Sequence, residues 1–152
     1  MSAASEFVEQ ITYEGILLAV ILRHQFQLPG THFFTPDDLA QQLGYLNLPS
    51  GQVIAPHTHA TAPRTVTRTQ EALVIFQGLL RVDFYTPDHQ YLESRILEPH
   101  DTVLLVAGGH GFEVLEAVQM LEIKLGPYLG QEERVRFAAA APGAIKIRET
   151  AA

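Results

Sequence analysis

His57 and His59 stand two residues apart in the segment GQVIAPHTHATAP, a spacing that puts both imidazoles on one face of a β-strand. Glu71 opens the apolar run EALVIFQG that ends at Gly78, and a third histidine, His110, lies in the glycine-rich segment AGGHG. Three imidazoles and one carboxylate from separate strands form the donor set of a borderline transition metal. The expected metal ligands are therefore His57, His59, Glu71 and His110, with room left for water or substrate. Fe(II), Mn(II), Ni(II) and Zn(II) all suit such donors, and the residue types do not choose among them. Each residue also has a plainer reading. The histidine pair can be two exposed loop residues, Glu71 a strand-edge carboxylate paired with Arg64 or Arg68, and His110 a cap on a glycine turn. His24, His32, His89 and His100 lack spaced partners and read as surface or turn histidines.

Groups that would read a substrate are fewer. Gln77 is expected on the same strand face as Glu71, and Arg64 and Arg68 lie between the histidine pair and Glu71. Two guanidinium groups there could hold a carboxylate or phosphate through paired hydrogen bonds, or could be solvated loop charges. Glu122 and Lys124 share a face of the last strand and read as a cross-strand charge pair.

The elements that must position these residues read as short strands. Ile11 to Leu22 is expected to be one buried strand after a loose or single-turn arm over residues 1–10. Thr35-Pro36-Asp37-Asp38 has a cap residue, an early proline and two acids, as at a helix start, so one helical turn and then a strand is expected. Glu71 to Gln77 and Leu79 to Tyr85 alternate as strands, with a tight reversal at Gly78 between them. Tyr91 to Leu97, Thr102 to Val106, Phe112 to Leu115 and Val118 to Leu125 follow. Beyond Tyr128 the chain is polar and then alanine-rich, with a last alternating piece at Ile145 to Arg148. Turn signals every eight to twelve residues with little helical periodicity predict an all-β sandwich or barrel.

Composition limits the partners. The 152 residues suit one domain with a real core. Seventeen acidic against ten basic residues give a net charge of −7, and no basic block stands out, which argues against nucleic acid and anionic membrane. Cysteine is absent, so disulfides and thiolate ligands are excluded. The first ten residues lack a secretory signal pattern and the longest apolar run is too short to span a bilayer, so a cytoplasmic protein is expected. The apolar strand Ile11–Leu22 and the Phe33-Phe34 pair predict a homodimer, since they exceed what a lone small barrel covers.

The spacing around the histidines resembles the first motif of the cupin superfamily, G-x5-H-x-H-x3–4-E-x6-G. Gly51 precedes His57 by five intervening residues, and Glu71 precedes Gly78 by six. The join departs from the family, with eleven residues between His59 and Glu71. The second motif, G-x5-P-x-G-x2-H-x3-N, is matched loosely around His110: Val106 stands for the proline and no asparagine follows. The resemblance spans about residues 51–125. It implies a double-stranded β-helix, or jelly-roll barrel, in one domain over residues 1–152, with extra N-terminal strands over 11–48 and a C-terminal extension over 126–152. It also implies a metal-dependent enzyme on a small polar molecule such as a sugar or keto acid, of isomerase, epimerase or oxygenase type. The alternative is a non-catalytic binding or regulatory module. The inserted residues 60–70 are expected to act as a lid and anion clamp.

Overall fold

The computed structural model of the protein describes residues 6–149. Eight strands and two short 3-10 turns make up its regular structure: β1 (Val8–Tyr13), β2 (Ile16–Leu22), β3 (Gly30–Phe33), β4 (Gly44–Asn47), β5 (Glu71–Tyr85), β6 (Tyr91–Leu97), β7 (Thr102–Leu105) and β8 (Gly109–Lys124). The fold is all-β. Its main sheet runs β1-β2-β7-β5-β6 with β8 on the other edge of β5, and β3 pairs with β4 in a separate ribbon. Every ladder among these strands is antiparallel.

The first expected strand is a hairpin instead. Glu14 and Gly15 both take positive φ, 47° and 79°, and turn β1 back onto β2. Two successive left-handed residues are the geometry of the two-residue hairpin whose twist matches its strands. Folding the segment on itself buries Ile11, Leu18 and Ile21 in the core. The apolar run expected at a subunit contact is thus spent inside the chain. The expected helical turn after Thr35 is a turn closed by the Leu39 amide donating to the Pro36 carbonyl, with Thr35 and Gln42 side chains bonded across it at 2.7 Å. Phe34 is half-buried here, its ring 5.0 Å from that of buried Phe26, while Phe33 stays exposed.

Strand β5 organises the rest. One of its edges is shared by β7, over residues 71–74, and β6, over residues 80–85; the other edge carries β8 along its whole length. Gly78 does not reverse the chain. It sits at φ 83° inside a continuous strand, where the β5–β8 register shifts between Ile75 and Leu80. These are β-bulges, and they bend the ribbon. A Cβ at Gly78 would lie 2.1 Å from the Ala117 carbonyl oxygen, so only glycine fits this crossing. A straight strand would hold residues 71 and 84 roughly 44 Å apart. Yet His110, the partner of Phe84 in the ladder, touches Glu71. The long β5–β8 ribbon therefore curls until its two ends meet, giving an antiparallel half-barrel.

Leu73, Ile75, Leu80, Val82 and Phe84 of β5 fill the core of this curl with β1 and β2. Each such side chain contributes about 2 kcal/mol by leaving water. Beside the core runs a buried charge network. Asp101 accepts from Arg23 Nη1 at 2.8 Å and from the backbone amides of His24 and Glu98. Glu9 takes Arg23 Nε and Arg95 Nε at 2.6 Å each, and Glu93 pairs with Arg95 and Arg148. Burial works against the charge of Arg23, but its bonds to Asp101 and Glu9 outweigh that and raise its pKa further. This network fastens the N-terminal hairpin to β6, and through Arg148 the C-terminal segment as well.

Candidate metal centre

Two of the four expected ligands are brought together. His110 opens β8 as its second residue and Glu71 opens β5, and the curl of the ribbon sets His110 Nε2 3.3 Å from Glu71 Oε2. The glycines around His110 are there for close approach: a Cβ at Gly108 would sit 2.4 Å from the Tyr85 carbonyl oxygen, and one at Gly109 2.5 Å from the Phe137 ring. Glu71 is partly buried, and the His110 hydrogen bond, aided by the charges of His110 and Lys124, holds its carboxyl below the usual range against the opposing effect of burial. Lys124, opposite Glu71 in the ladder, approaches its other oxygen at 3.8 Å.

Lys124 belongs to a second pair. Its Nζ lies 2.8 Å from Glu133 Oε2, which raises the lysine pKa and lowers that of the glutamate, and Thr69 donates to Glu133 Oε1 at 2.8 Å. The Tyr128 ring lies under the same ammonium, 5.7 Å from its centroid. Glu133 and Tyr128 were outside the sequence expectation because they come from the C-terminal segment, whose pattern carries no strand signal. Lys124, expected to pair with Glu122, faces Glu71 in the ladder instead. Gln70, next to Glu71, has a buried side-chain oxygen with no hydrogen-bond partner among the described residues.

His57 and His59 form the other half of the set. Their rings are 5.3 Å apart, and His57 Nδ1 meets the Ala55 carbonyl at 2.9 Å. They do not lie on a strand: residues 51–69 are an exposed segment with no regular structure. Alternation alone could not settle this, because a strand needs an edge to pair with, and this segment pairs with no strand among the described residues. Among the described residues no three His, Asp or Glu side chains are grouped closely enough to hold a metal ion. The four donors stand as two pairs.

The expected substrate groups are also separated. Arg64 and Arg68 are exposed, and Arg64 Nη1 reaches only the Ala62 carbonyl of its own segment at 3.4 Å. Neither arginine pairs with Glu71 among the described residues. Gln77 is exposed and faces Gln119, and the bulge between it and Ile75 breaks the alternation that would have put it beside Glu71. The remaining histidines have local partners. His24 meets Asp101 at 3.1 Å, His32 the Pro29 carbonyl at 2.9 Å, and His89 stacks on Phe137 at 4.2 Å. His100 takes a positive φ of 73° in the turn before β7.

No protein-family model, curated protein or solved structure matches this chain. No helix among the described residues is long and apolar enough to cross a membrane.

Proposed function

We propose that the protein is a metal-binding barrel of cupin type that acts on a small polar molecule. The observation that carries this reading is the Glu71–His110 contact: a carboxylate and an imidazole, 39 positions apart, meet at the mouth of a curled sheet. The donor chemistry fits a divalent transition metal, with Glu71 and His110 as the preformed pair and His57 and His59, on the exposed segment, as the pair that would complete the set. Iron, manganese, nickel and zinc all remain compatible with it. The chemistry supplied at such a centre is Lewis-acid polarisation of a substrate oxygen.

The chain's own residues would contribute the rest. Glu71, whose carboxyl the His110 hydrogen bond holds below its ordinary value, would coordinate as a carboxylate. Lys124, 3.8 Å from Glu71 and paired with Glu133, would orient an anionic substrate group beside the carboxylate. An isomerase, epimerase or oxygenase on a sugar or keto acid is the favoured activity. A non-catalytic binding module is the second reading, favoured by the engagement of both nearby carboxylates, Glu71 and Glu133, in ion pairs that leave neither free as a general base.

Elemental analysis of untagged protein tests the metal, followed by a thermal-shift screen of sugars and keto acids. About one equivalent of metal and a ligand-dependent rise in melting temperature are expected. A ligand that stabilises the metal-loaded chain but is recovered unchanged selects the binding module.

A further inference from the structure

We propose that residues 51–69 are an exchange arm, which pairs along the free edge of β8 in a second copy of this chain. Two unsatisfied surfaces carry this. The first is the arm itself. All nineteen of its residues are exposed, Val53 at 78% and Ile54 at 58%. Its few hydrogen bonds stay local: Gln52 to Pro49, His57 to Ala55, Arg64 to Ala62, until Thr69 reaches Glu133 at its end. The composition is nevertheless that of a strand: Val53, Ile54 and Val66 with five threonines interspersed would pair well, and Pro56 and Pro63 restrict it to an edge position.

The second surface is β8. It is 16 residues long, pairs only with β5 among the described strands, and has not one buried residue. Val114 and Ile123 are 55% and 51% exposed, with Phe112, Leu115 and Leu121 close behind. A long, apolar edge with unpaired backbone groups is a site for strand addition. Charge selects the occupant. Residues 51–69 carry Arg64 and Arg68 and no acid, a net +2, whereas β8 carries Glu113, Glu116 and Glu122 against Lys124, a net −2. Pairing two β8 strands would set like charges together; pairing an arm with β8 sets opposite ones together. Exchange between identical chains satisfies both surfaces at once, at little cost beyond ordering the arm.

The exchange also addresses the divided donor set. An arm laid along the partner's β8 with residues 57–59 toward its Gly109 end would carry His57 and His59 toward His110, whose ring already meets Glu71 of β5. That consequence rests on the proposed metal centre; the exchange does not.

The test uses the full-length chain in metal-free buffer, so that loss of metal binding and loss of exchange read separately. Light scattering is expected to give twice the 16.8 kDa chain mass at micromolar concentration. The double charge reversal Arg64→Glu/Arg68→Glu, at two exposed positions outside the core, should weaken the dimer by about tenfold or more. Because the chain has no cysteine, Val53→Cys combined with Leu121→Cys, and separately with Val114→Cys to allow for either direction of the arm, can trap the contact. Oxidation should give a covalent dimer in at least one of the two. A monomer in solution, a dimer indifferent to the charge reversal, or a disulfide that forms only within single chains would each overturn the exchange. The last of these would mean that the arm closes on its own β8.

Discussion

Glu71 is the residue on which the site turns, and its environment makes a signed prediction. The His110 hydrogen bond holds its carboxyl below the ordinary value of 4.5. The stability contributed by that contact is therefore fully present above about pH 4.5 and is lost as the pH falls through the lower folded-state value. Glu71→Gln should flatten that acid limb of the stability profile, measured by urea unfolding at stepped pH, while leaving the fold intact and weakening metal uptake. An unchanged acid limb would show that the contact contributes nothing in solution. Asp101 makes the opposite kind of prediction. Its side chain is 1% exposed and receives Arg23, His24 and Glu98. Asp101→Ala would leave the buried guanidinium to Glu9 and the Ile96 carbonyl, without the carboxylate on its Nη1, and should cost about 3–5 kcal/mol. Chemical denaturation measures this directly. At this scale the sequence exposed the donors but not their company. His110 and Glu71 were legible from residue type, whereas Lys124, Glu133 and Asp101 acquire their roles only from contacts across the fold.

At the scale of elements, glycine and its neighbours explain both what was legible and what was not. The alternation in Leu80, Val82 and Phe84 announced a half-buried strand, and the structure buries all three. The break at Gly78 reads as a reversal in sequence because a positive-φ glycine serves a turn and a bulge equally well. Only the partner strand decides, and here Ala117 passes too close to admit a side chain. Gly78→Ala should therefore cost about 2–4 kcal/mol, a fall of roughly 10 °C in melting temperature, from the combined clash and left-handed backbone. A loss below about 0.5 kcal/mol would mean that the bulge relaxes freely. The Glu14-Gly15 hairpin is hidden in the sequence for a related reason. Glutamate is a poor advertisement for a left-handed turn position, and the apolar residues on either side run together in the sequence.

Across the whole molecule, β5 and β8 bend so that both ends of a long ribbon bear on one place. The half-barrel follows from three register shifts between Ile75 and Leu80. That all-β character was legible from turn spacing and alternation. The position of residues 51–69 was not, because their strand-like pattern describes a capacity to pair and names no partner. The account thus joins a preformed Glu71–His110 pair to a histidine pair carried on an exposed arm, and it treats the four as one metal centre. Metal stoichiometry tests this most directly, by elemental analysis of untagged wild-type protein beside His57→Ala/His59→Ala and His110→Ala, each checked for its fold by circular dichroism. The account predicts about one transition-metal equivalent per wild-type chain, and a loss of at least tenfold in affinity in both variants. Wild-type protein that takes up no metal on titration, or the same metal content in the folded His57→Ala/His59→Ala variant, would contradict it.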